Sequence, residues 1–114
     1  MTEYEYGFGH LQWQGESFRK DVIILPDGQV LSPWRREHGH RLEISDLTEV
    51  LAAAPRVLVI GTGATGRMKV DDHVLSELAA QGIDAEAMPT SKALKRYVDV
   101  RKKRTAAAVL HLTC

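Results

Sequence analysis

The sequence predicts an α/β fold in which helices pack on a β-sheet and an N-terminal β-meander precedes them. Three patterns favour this class. The first third of the chain holds short apolar runs between turn residues, residues 56–60 (Arg-Val-Leu-Val-Ile) are typical of a strand covered on both faces, and helical patterns then alternate with apolar runs. This alternation favours a helix-covered sheet over a bundle or a sandwich.

The β-meander is predicted over residues 8–34. Gly15 and the segment Pro26-Asp27-Gly28 separate its strands. The second separator is a turn, because proline presets φ and glycine supplies a positive φ. The strands are expected at 8–14, 17–25 and 29–34.

Three helices are predicted in the remainder of the chain. Asp46 has capping-box spacing ahead of a short helix that should end before Pro55. The aspartates at 71–72 can cap a second helix, and Thr90 or Ser91 a third. Further strands are expected at 83–88 and 105–112.

The composition predicts one globular domain that spans residues 1–114. Hydrophobic residues make up 44% of the chain and charged residues 26%, unlike a disordered chain. Fifteen basic residues balance fifteen acidic ones, so no long-range field draws nucleic acid or an anionic membrane. The single cysteine, Cys114, fits a reducing compartment, and no apolar run approaches the ~20 residues of a membrane helix. We therefore expect a cytoplasmic protein with neither nucleic acid nor a membrane as partner.

The glycine loop 61–66, Gly-Thr-Gly-Ala-Thr-Gly, is the most distinctive candidate site. It follows a buried strand with the spacing of the dinucleotide fingerprint, and Glu86 lies twenty residues beyond Gly66. That fingerprint needs a helix that begins inside the loop, whereas residues 67–70 precede the expected cap at 71–72. Since Arg-Met follows Gly66 in place of Lys-Ser or Lys-Thr, a Walker loop is also excluded. We therefore predict no cofactor.

Two interpretations of the glycine loop remain open. The glycines could serve only to allow positive φ where the strand ends. Alternatively, residues 61–70 and 89–91 could line a ligand crevice, because loops at the carboxyl ends of neighbouring strands form such crevices in α/β sheets.

Six sequence blocks together resemble one known family. The blocks are Tyr6-Gly7-Phe8-Gly9, Asp21-Val22-Ile23-Ile24, Trp34-Arg35-Arg36 through Gly39-His40, Ile60-Gly61-Thr62-Gly63, Thr90 with Ala93, and His111-Leu112-Thr113-Cys114. From about Tyr6 to Cys114 the chain resembles the small methanogen-protein-like family of unknown function, which includes the adipogenesis-associated protein and mitochondrial complex I assembly factor 3. The resemblance implies a compact three-layer α/β domain with a mixed sheet, a glycine-loop cavity of unknown ligand, and no demonstrated chemistry for most members.

The resemblance also implies which residues form the ligand site. The cavity candidates are Arg35, Gly61, Thr62, Gly63 and Thr90, with Trp34 and His40 beside them. Because no mitochondrial leader is recognisable, we expect the assembly-factor role to transfer poorly.

Arginine and histidine side chains are the other chemical candidates. Arg35 beside Arg36 offers guanidinium groups suited to carboxylate or phosphate, and Trp34 offers a ring for stacking, unless the arginines are only a surface pair at a strand end. A metal site at His38 and His40 would need ligands that the sequence does not place, so no metal is predicted.

His111 is predicted to be a satisfied core histidine on a buried strand. It could assist Cys114 as a nucleophile, but little surrounds this thiol to lower its pKa. No catalytic residue is therefore assigned, and His40 is the one acid-base candidate.

Seven of the fifteen positive charges lie within residues 92–104. The last four lie where a helix should end and where cations complement its dipole. A solvated helix face, or a docking patch for an acidic protein, is therefore favoured over nucleic acid.

The function that fits these features best is a binding, scaffold or assembly-type domain with a glycine-loop cavity for a small anionic ligand. A protein partner is also expected. One alternative is a small enzyme that acts on an anionic metabolite through Arg35 and the glycine loop. A weaker alternative is nucleic-acid binding through residues 92–104.

Overall fold

A mixed five-stranded sheet forms the centre of the fold. The computed structural model describes residues 3–114, which form eight strands and three α-helices. In chain order these are β1 (Tyr4–Gly7), β2 (His10–Trp13), β3 (Glu16–Phe18), β4 (Val22–Ile24), β5 (Val30–Leu31), α1 (Thr48–Ala53), β6 (Val57–Gly61), α2 (Asp72–Ala80), β7 (Asp84–Met88), α3 (Thr90–Val100) and β8 (Ala106–Leu110), with a 3-10 turn at Ile44–Leu47 before α1.

The strand order of the central sheet is β5-β4-β8-β6-β7. β6 pairs in parallel with both β7 and β8, whereas β4 is antiparallel to β5 and β8. β6 is buried along its whole length, as its unbroken apolar run predicts. The mixed sheet that the family resemblance implies is therefore confirmed.

The N-terminal meander is confirmed, but it begins at Tyr4 and ends at Phe18, and the strand predicted at 29–34 is β5, which pairs with β4 in the central sheet. β1, β2 and β3 form a separate antiparallel three-stranded sheet. The strand predicted at 17–25 is wrong, because the chain crosses between the two sheets at residues 19–21. The predicted turn at 26–28 is present: Gly28 has φ +93° and its N–H donates to the carbonyl of Leu25 at 2.9 Å.

The central sheet separates two apolar cores, which produces the expected three layers. Side chains of β6 alternate between them, with Val57 and Val59 in the first core and Leu58 and Ile60 in the second. α3 and the three-stranded sheet cover the first core, and α1 and α2 cover the second. Each fully buried aliphatic side chain contributes about 1.5–3 kcal/mol, so both faces of the sheet stabilise the fold.

The three predicted helices are present, but two predicted caps are wrong. Asp46 lies at the third position of the 3-10 turn, where its carboxylate accepts the N–H of Glu43 at 2.8 Å and that of Glu37 at 3.0 Å. Thr90 lies inside the first turn of α3, and its hydroxyl binds groups outside that helix. The Asp46 carboxylate therefore binds amides that precede it in the chain, and the Thr90 hydroxyl binds buried groups more than twenty residues away.

The helix after the glycine loop begins late, at Asp72. The loop amides therefore cannot be the first amides of that helix, and the predicted late start of the helix is confirmed. Within residues 3–114, no helix is both long and apolar enough to span a membrane; the longest, α3, has 11 residues.

Candidate functional site

The candidate site lies at one edge of the central sheet. β6 and β8 both end there, since Gly61 pairs with Leu110, and β4 begins there, since Val22 pairs with the same Leu110. The segments that leave these strands therefore meet. They carry Asp21 before β4, the glycine loop after β6 and His111 after β8.

The glycine loop packs tightly against the last residues of the chain. Gly63 has φ +109°, and a Cβ on it would lie 2.7 Å from the carbonyl oxygen of Thr113, 2.8 Å from that of Cys114 and 2.9 Å from Cδ2 of His111. A Cβ on Gly61 would lie 2.8 Å from Oγ1 of Thr90. Only glycine fits these close approaches.

Thr90 connects this loop to the end of β8. Its hydroxyl donates to the carbonyl of His111 at 2.6 Å and accepts the N–H of Gly63 at 2.9 Å. The N–H of Thr62 donates to Met88 at 2.9 Å, and that of Ala64 to Thr113 at 2.8 Å. Three consecutive loop amides therefore already have protein acceptors, and the loop differs from an anion-binding cradle.

A buried charged cluster of Asp21, Arg36 and His111 lies beside the loop. Oδ2 of Asp21 is 2.9 Å from Nη2 of Arg36 and 2.8 Å from Nδ1 of His111. Oδ1 of Asp21 accepts the N–H of Leu112 at 2.7 Å. Because the side chains of Arg36 and His111 are only 5% and 7% exposed, this ion pair is largely desolvated.

The carboxylate of Asp21 determines where the His111 proton lies. A carboxylate accepts, so Nδ1 of His111 carries the proton, and Nη2 of Arg36 donates to Asp21 rather than to the ring. Nε2 of His111 and Nη1 of Arg36 are buried without a protein partner among the described residues. The burial predicted for His111 is confirmed, but the ring is satisfied at only one nitrogen.

The cluster keeps Asp21 ionised. Burial raises the pKa of Asp21, but the hydrogen bonds from His111, from the Leu112 amide and from Arg36 outweigh it, so the pKa lies below its ordinary value. Asp21 is consequently a weak base at neutral pH.

A groove of about 280 Å³, here called the strand-end groove, lies over this cluster. Asp21 is common to both, and the groove is lined by Arg19, Lys20, Asp21, Pro33, Trp34, Arg35 and Thr113. The three cations Arg19, Lys20 and Arg35 are exposed. A second groove of about 300 Å³ shares Pro33, Trp34 and Arg35 and extends towards Asp46 and Glu49.

The structure places the predicted site residues in three different surroundings. The buried part of the glycine loop packs against Thr90; its residues are Gly61, Thr62 and Gly63. Trp34 and Arg35 instead line the strand-end groove. His40 is exposed, and its ring centroid lies 6.0 Å from that of His111. A ligand role for these residues remains a prediction.

The expectation that the Trp34 ring is free for stacking is wrong. Trp34 is 5% exposed, the guanidinium of Arg36 covers its ring at 4.6 Å, and its Nε1 donates to the carbonyl of Asp46 at 3.0 Å. The two adjacent arginines also differ, because Arg36 is buried in the cluster and Arg35 reaches the groove.

Sequence reasoning assigned no site role to Asp21, Arg19 or Lys20, and it named Arg36 only beside Arg35 as a candidate for binding an anion. The signal for Asp21 was a lone carboxylate directly before the apolar strand 22–24. A buried acid must find a donor, and Asp21 finds its donors in His111 and Leu112, which follow β8, and in Arg36. Arg19 and Lys20 carried no periodic signal, because they lie where the chain crosses between sheets.

Comparison with known proteins agrees with the fold. The chain matches the family described as protein of unknown function (DUF498/DUF598) over residues 3–111. The crystal structure of the conserved hypothetical protein PH1505 from Pyrococcus horikoshii OT3 is 25% identical, with a TM-score of 0.83 and 100% of both chains covered. The structure of MT938 is 30% identical, with a TM-score of 0.80 and 97% of each chain covered.

A more distant relative shows likeness of fold alone. A Bordetella pertussis protein, described as a Mth938-like domain, is 19% identical, with a TM-score of 0.63 over 95% of this chain and 83% of its own. Together with the match over residues 3–111, these likenesses confirm the resemblance predicted from the six sequence blocks. The chain belongs to the DUF498/DUF598 family, a small methanogen-protein-like family of unknown function.

Proposed function

We propose that this domain is a binding module for a small anion of the carboxylate or phosphate type. The anion binds in the strand-end groove, where Arg19, Lys20 and Arg35 supply the positive charge. One observation carries the proposal. These three cations are exposed side by side in one groove, and none of them forms an ion pair with another residue of the described range 3–114.

The one carboxylate among the described lining residues does not cancel this charge. Asp21 faces the groove, but its Oδ2 lies 2.9 Å from Arg36. Arg36 does not line the groove, so its guanidinium neutralises Asp21 from the protein interior without adding charge to the groove. The field that an entering anion meets is therefore set by Arg19, Lys20 and Arg35.

The size of the groove favours a small ligand. Its volume of about 280 Å³ is near the lower end of ligand pockets, roughly 300–1,000 Å³. Thr113 adds a hydroxyl to the lining, and Arg35 offers a planar fork that suits a carboxylate or a phosphate. A small polycarboxylate or a phosphate monoester fits this lining better than a dinucleotide.

The groove is built for binding rather than for acid-base chemistry. A general base needs a pKa near the working pH and an open path to the substrate. The pKa of Asp21 lies below its ordinary value, and Nε2 of His111 is buried. This arrangement supports a binding module over the enzyme alternative.

The test is a titration of the full chain with citrate and with inorganic phosphate, in which the amide chemical shifts are monitored by NMR. We expect shifts at residues 19–21 and at Arg35, saturating in the millimolar range or below. One charge-assisted hydrogen bond contributes about 1.5–3 kcal/mol, so Arg35→Gln should weaken binding by about 10- to 100-fold.

Lys95→Gln is the matched control, because Lys95 is exposed on α3 and outside this groove. It should leave the affinity unchanged within about twofold, a difference well under 1 kcal/mol. Equal weakening by both variants, or no shift at residues 19–21 and 35, would overturn the proposal. Shifts confined to residues 61–66 would show that the anion binds at the glycine loop and not in the strand-end groove.

A further inference from the structure

A second charged surface lies on α3 and on the turn that follows it. Residues 92–104 hold seven basic residues and one acidic residue, Asp99, whereas the rest of the chain holds eight basic and fourteen acidic residues. The neutral total therefore conceals a segment with an excess of six positive charges, seven basic residues less one acidic residue. A local cationic surface of this kind steers acidic partners even when the net charge is zero.

Some of these cations are used by the fold. Arg96 pairs with Glu86 at 2.8 Å and Arg104 pairs with Asp84 at 3.3 Å. Arg101 pairs with Glu3 at 3.5 Å and lies 5.2 Å above the ring of Trp13. The remaining four are exposed and form no ion pair with any residue of the described range. They are Lys92, Lys95, Lys102 and Lys103.

A groove of about 510 Å³, here called the basic groove, lies between the end of α3 and the turn at 26–28. Its lining residues are Pro26, Asp27, Gly28, Tyr97, Arg101, Lys103, Arg104, Thr105 and Ala106. Tyr97 and Ala106 are 2% and 3% exposed, so they form the floor. Three cations stand on the α3 side, and the carboxylate of Asp27 stands on the other.

We propose that an acidic segment of another protein docks in the basic groove. Its carboxylates pair with Lys103 and with the accessible parts of Arg101 and Arg104. Its backbone N–H groups donate to Asp27, whose Oδ1 already accepts the N–H of Gln29 at 2.9 Å and whose Oδ2 has no donor among the described residues. This proposal concerns a different surface from the strand-end groove and does not depend on it.

The lining favours a peptide over nucleic acid. A phosphodiester backbone has no N–H to donate, so it would meet Asp27 as a repulsive charge. Base stacking needs an exposed ring, and Tyr97, the aromatic residue of this groove, is buried. A peptide with acidic side chains supplies both the anions and the donors.

A second copy of this chain is a poorer occupant. Its sequence has one pair of adjacent acidic residues, Asp71-Asp72, and two pairs separated by one residue, Glu3/Glu5 and Asp84/Glu86. Glu3, Asp84 and Glu86 already form ion pairs with arginines of their own chain. Asp71 itself lies 3.7 Å from Arg41. An external segment with several closely spaced acids matches the three cations of the groove better.

The test is fluorescence anisotropy of the full chain with a labelled peptide of alternating Glu and Gly. Lys103→Glu removes a groove cation, and Lys92→Glu makes the same charge change at the other end of α3, outside the groove. We expect Lys103→Glu to weaken binding by at least about tenfold and Lys92→Glu by less than about threefold. Both residues are exposed, so both variants should melt like the wild type. A Gln-for-Glu peptide should not bind.

Three results would overturn the proposal. Equal weakening by the two variants would indicate diffuse attraction without a groove. A single-stranded oligonucleotide of the same charge that binds as tightly as the peptide would indicate nucleic-acid binding. A dimer in sedimentation that Lys103→Glu dissociates, with no peptide binding, would indicate that the groove holds a second copy.

Discussion

Replacing Gly63 by alanine combines two destabilising effects that the structure assigns to this position. The first cost is a side chain at positive φ, since Gly63 has φ +109°. The second is a steric clash, since the new Cβ would lie 2.7 Å and 2.8 Å from the backbone oxygens of Thr113 and Cys114. The Thr113 oxygen accepts the N–H of Ala64 at 2.8 Å, so it cannot move away without loss of that hydrogen bond.

Two other glycines isolate the two costs. Gly28 has φ +93° with nothing within 4 Å of its Cβ position, so Gly28→Ala has only the backbone cost, about 1–2 kcal/mol. Gly61 has no positive φ, but its Cβ would lie 2.8 Å from Oγ1 of Thr90 and 2.9 Å from Cδ2 of Leu110. Gly61→Ala therefore has only the packing cost, about 1–3 kcal/mol.

Gly63→Ala should combine both costs and lower the free energy of unfolding by about 2–5 kcal/mol. Urea unfolding of the wild type and the three variants at pH 7 measures this, with unchanged m-values as the check on two-state behaviour. Gly63→Ala should be the least stable of the three. If Gly63→Ala loses no more than Gly28→Ala, the close approach to Thr113 and Cys114 does not constrain the protein and the reasoning fails.

Asp21→Asn should lower the free energy of unfolding by about 3–5 kcal/mol at pH 7, because it leaves Arg36 buried without its anion. Since the folded pKa of Asp21 is lowered, this difference from the wild type should be present above about pH 4 and shrink as the pH falls through that pKa. A difference that stays constant in urea unfolding from pH 7 to pH 3 would contradict this. NADH and flavin should not bind, because α2 begins only at Asp72, and micromolar affinity in a fluorescence titration would show that the fingerprint had been wrongly rejected. Cys114→Ser should keep cooperative unfolding with stability within about 0.5 kcal/mol, because the thiol is only partly buried and outside both cores; loss of the transition in circular dichroism would refute this.

Several parts of the fold could be predicted from the sequence because their causes are local. The turn at 26–28 follows from the φ of proline and glycine, and the burial of β6 follows from its unbroken apolar run. The late start of α2 follows from the position of 71–72, and this was enough to argue against a dinucleotide site. Each of these conclusions needs only residues that are near one another in the chain.

The site depended on contacts that the sequence alone did not reveal. Asp21 and His111 are 90 residues apart, and they meet only because β4 pairs with β8 in the register that sets Val22 opposite Leu110. Thr90 could cap a helix by its local sequence, but the end of β8 offered its hydroxyl a buried carbonyl.

The adjacent residues Arg35 and Arg36 show most clearly what local sequence does not predict. The two side chains are chemically identical, and nothing in their local sequence distinguishes the buried one from the exposed one. The tertiary structure places Trp34, Asp21 and the Gly39 carbonyl around Arg36, whereas Arg35 reaches the strand-end groove. Residue type and local pattern therefore determined the elements and their turns, while strand pairing and desolvation decided which charges became structural and which remained available to a ligand.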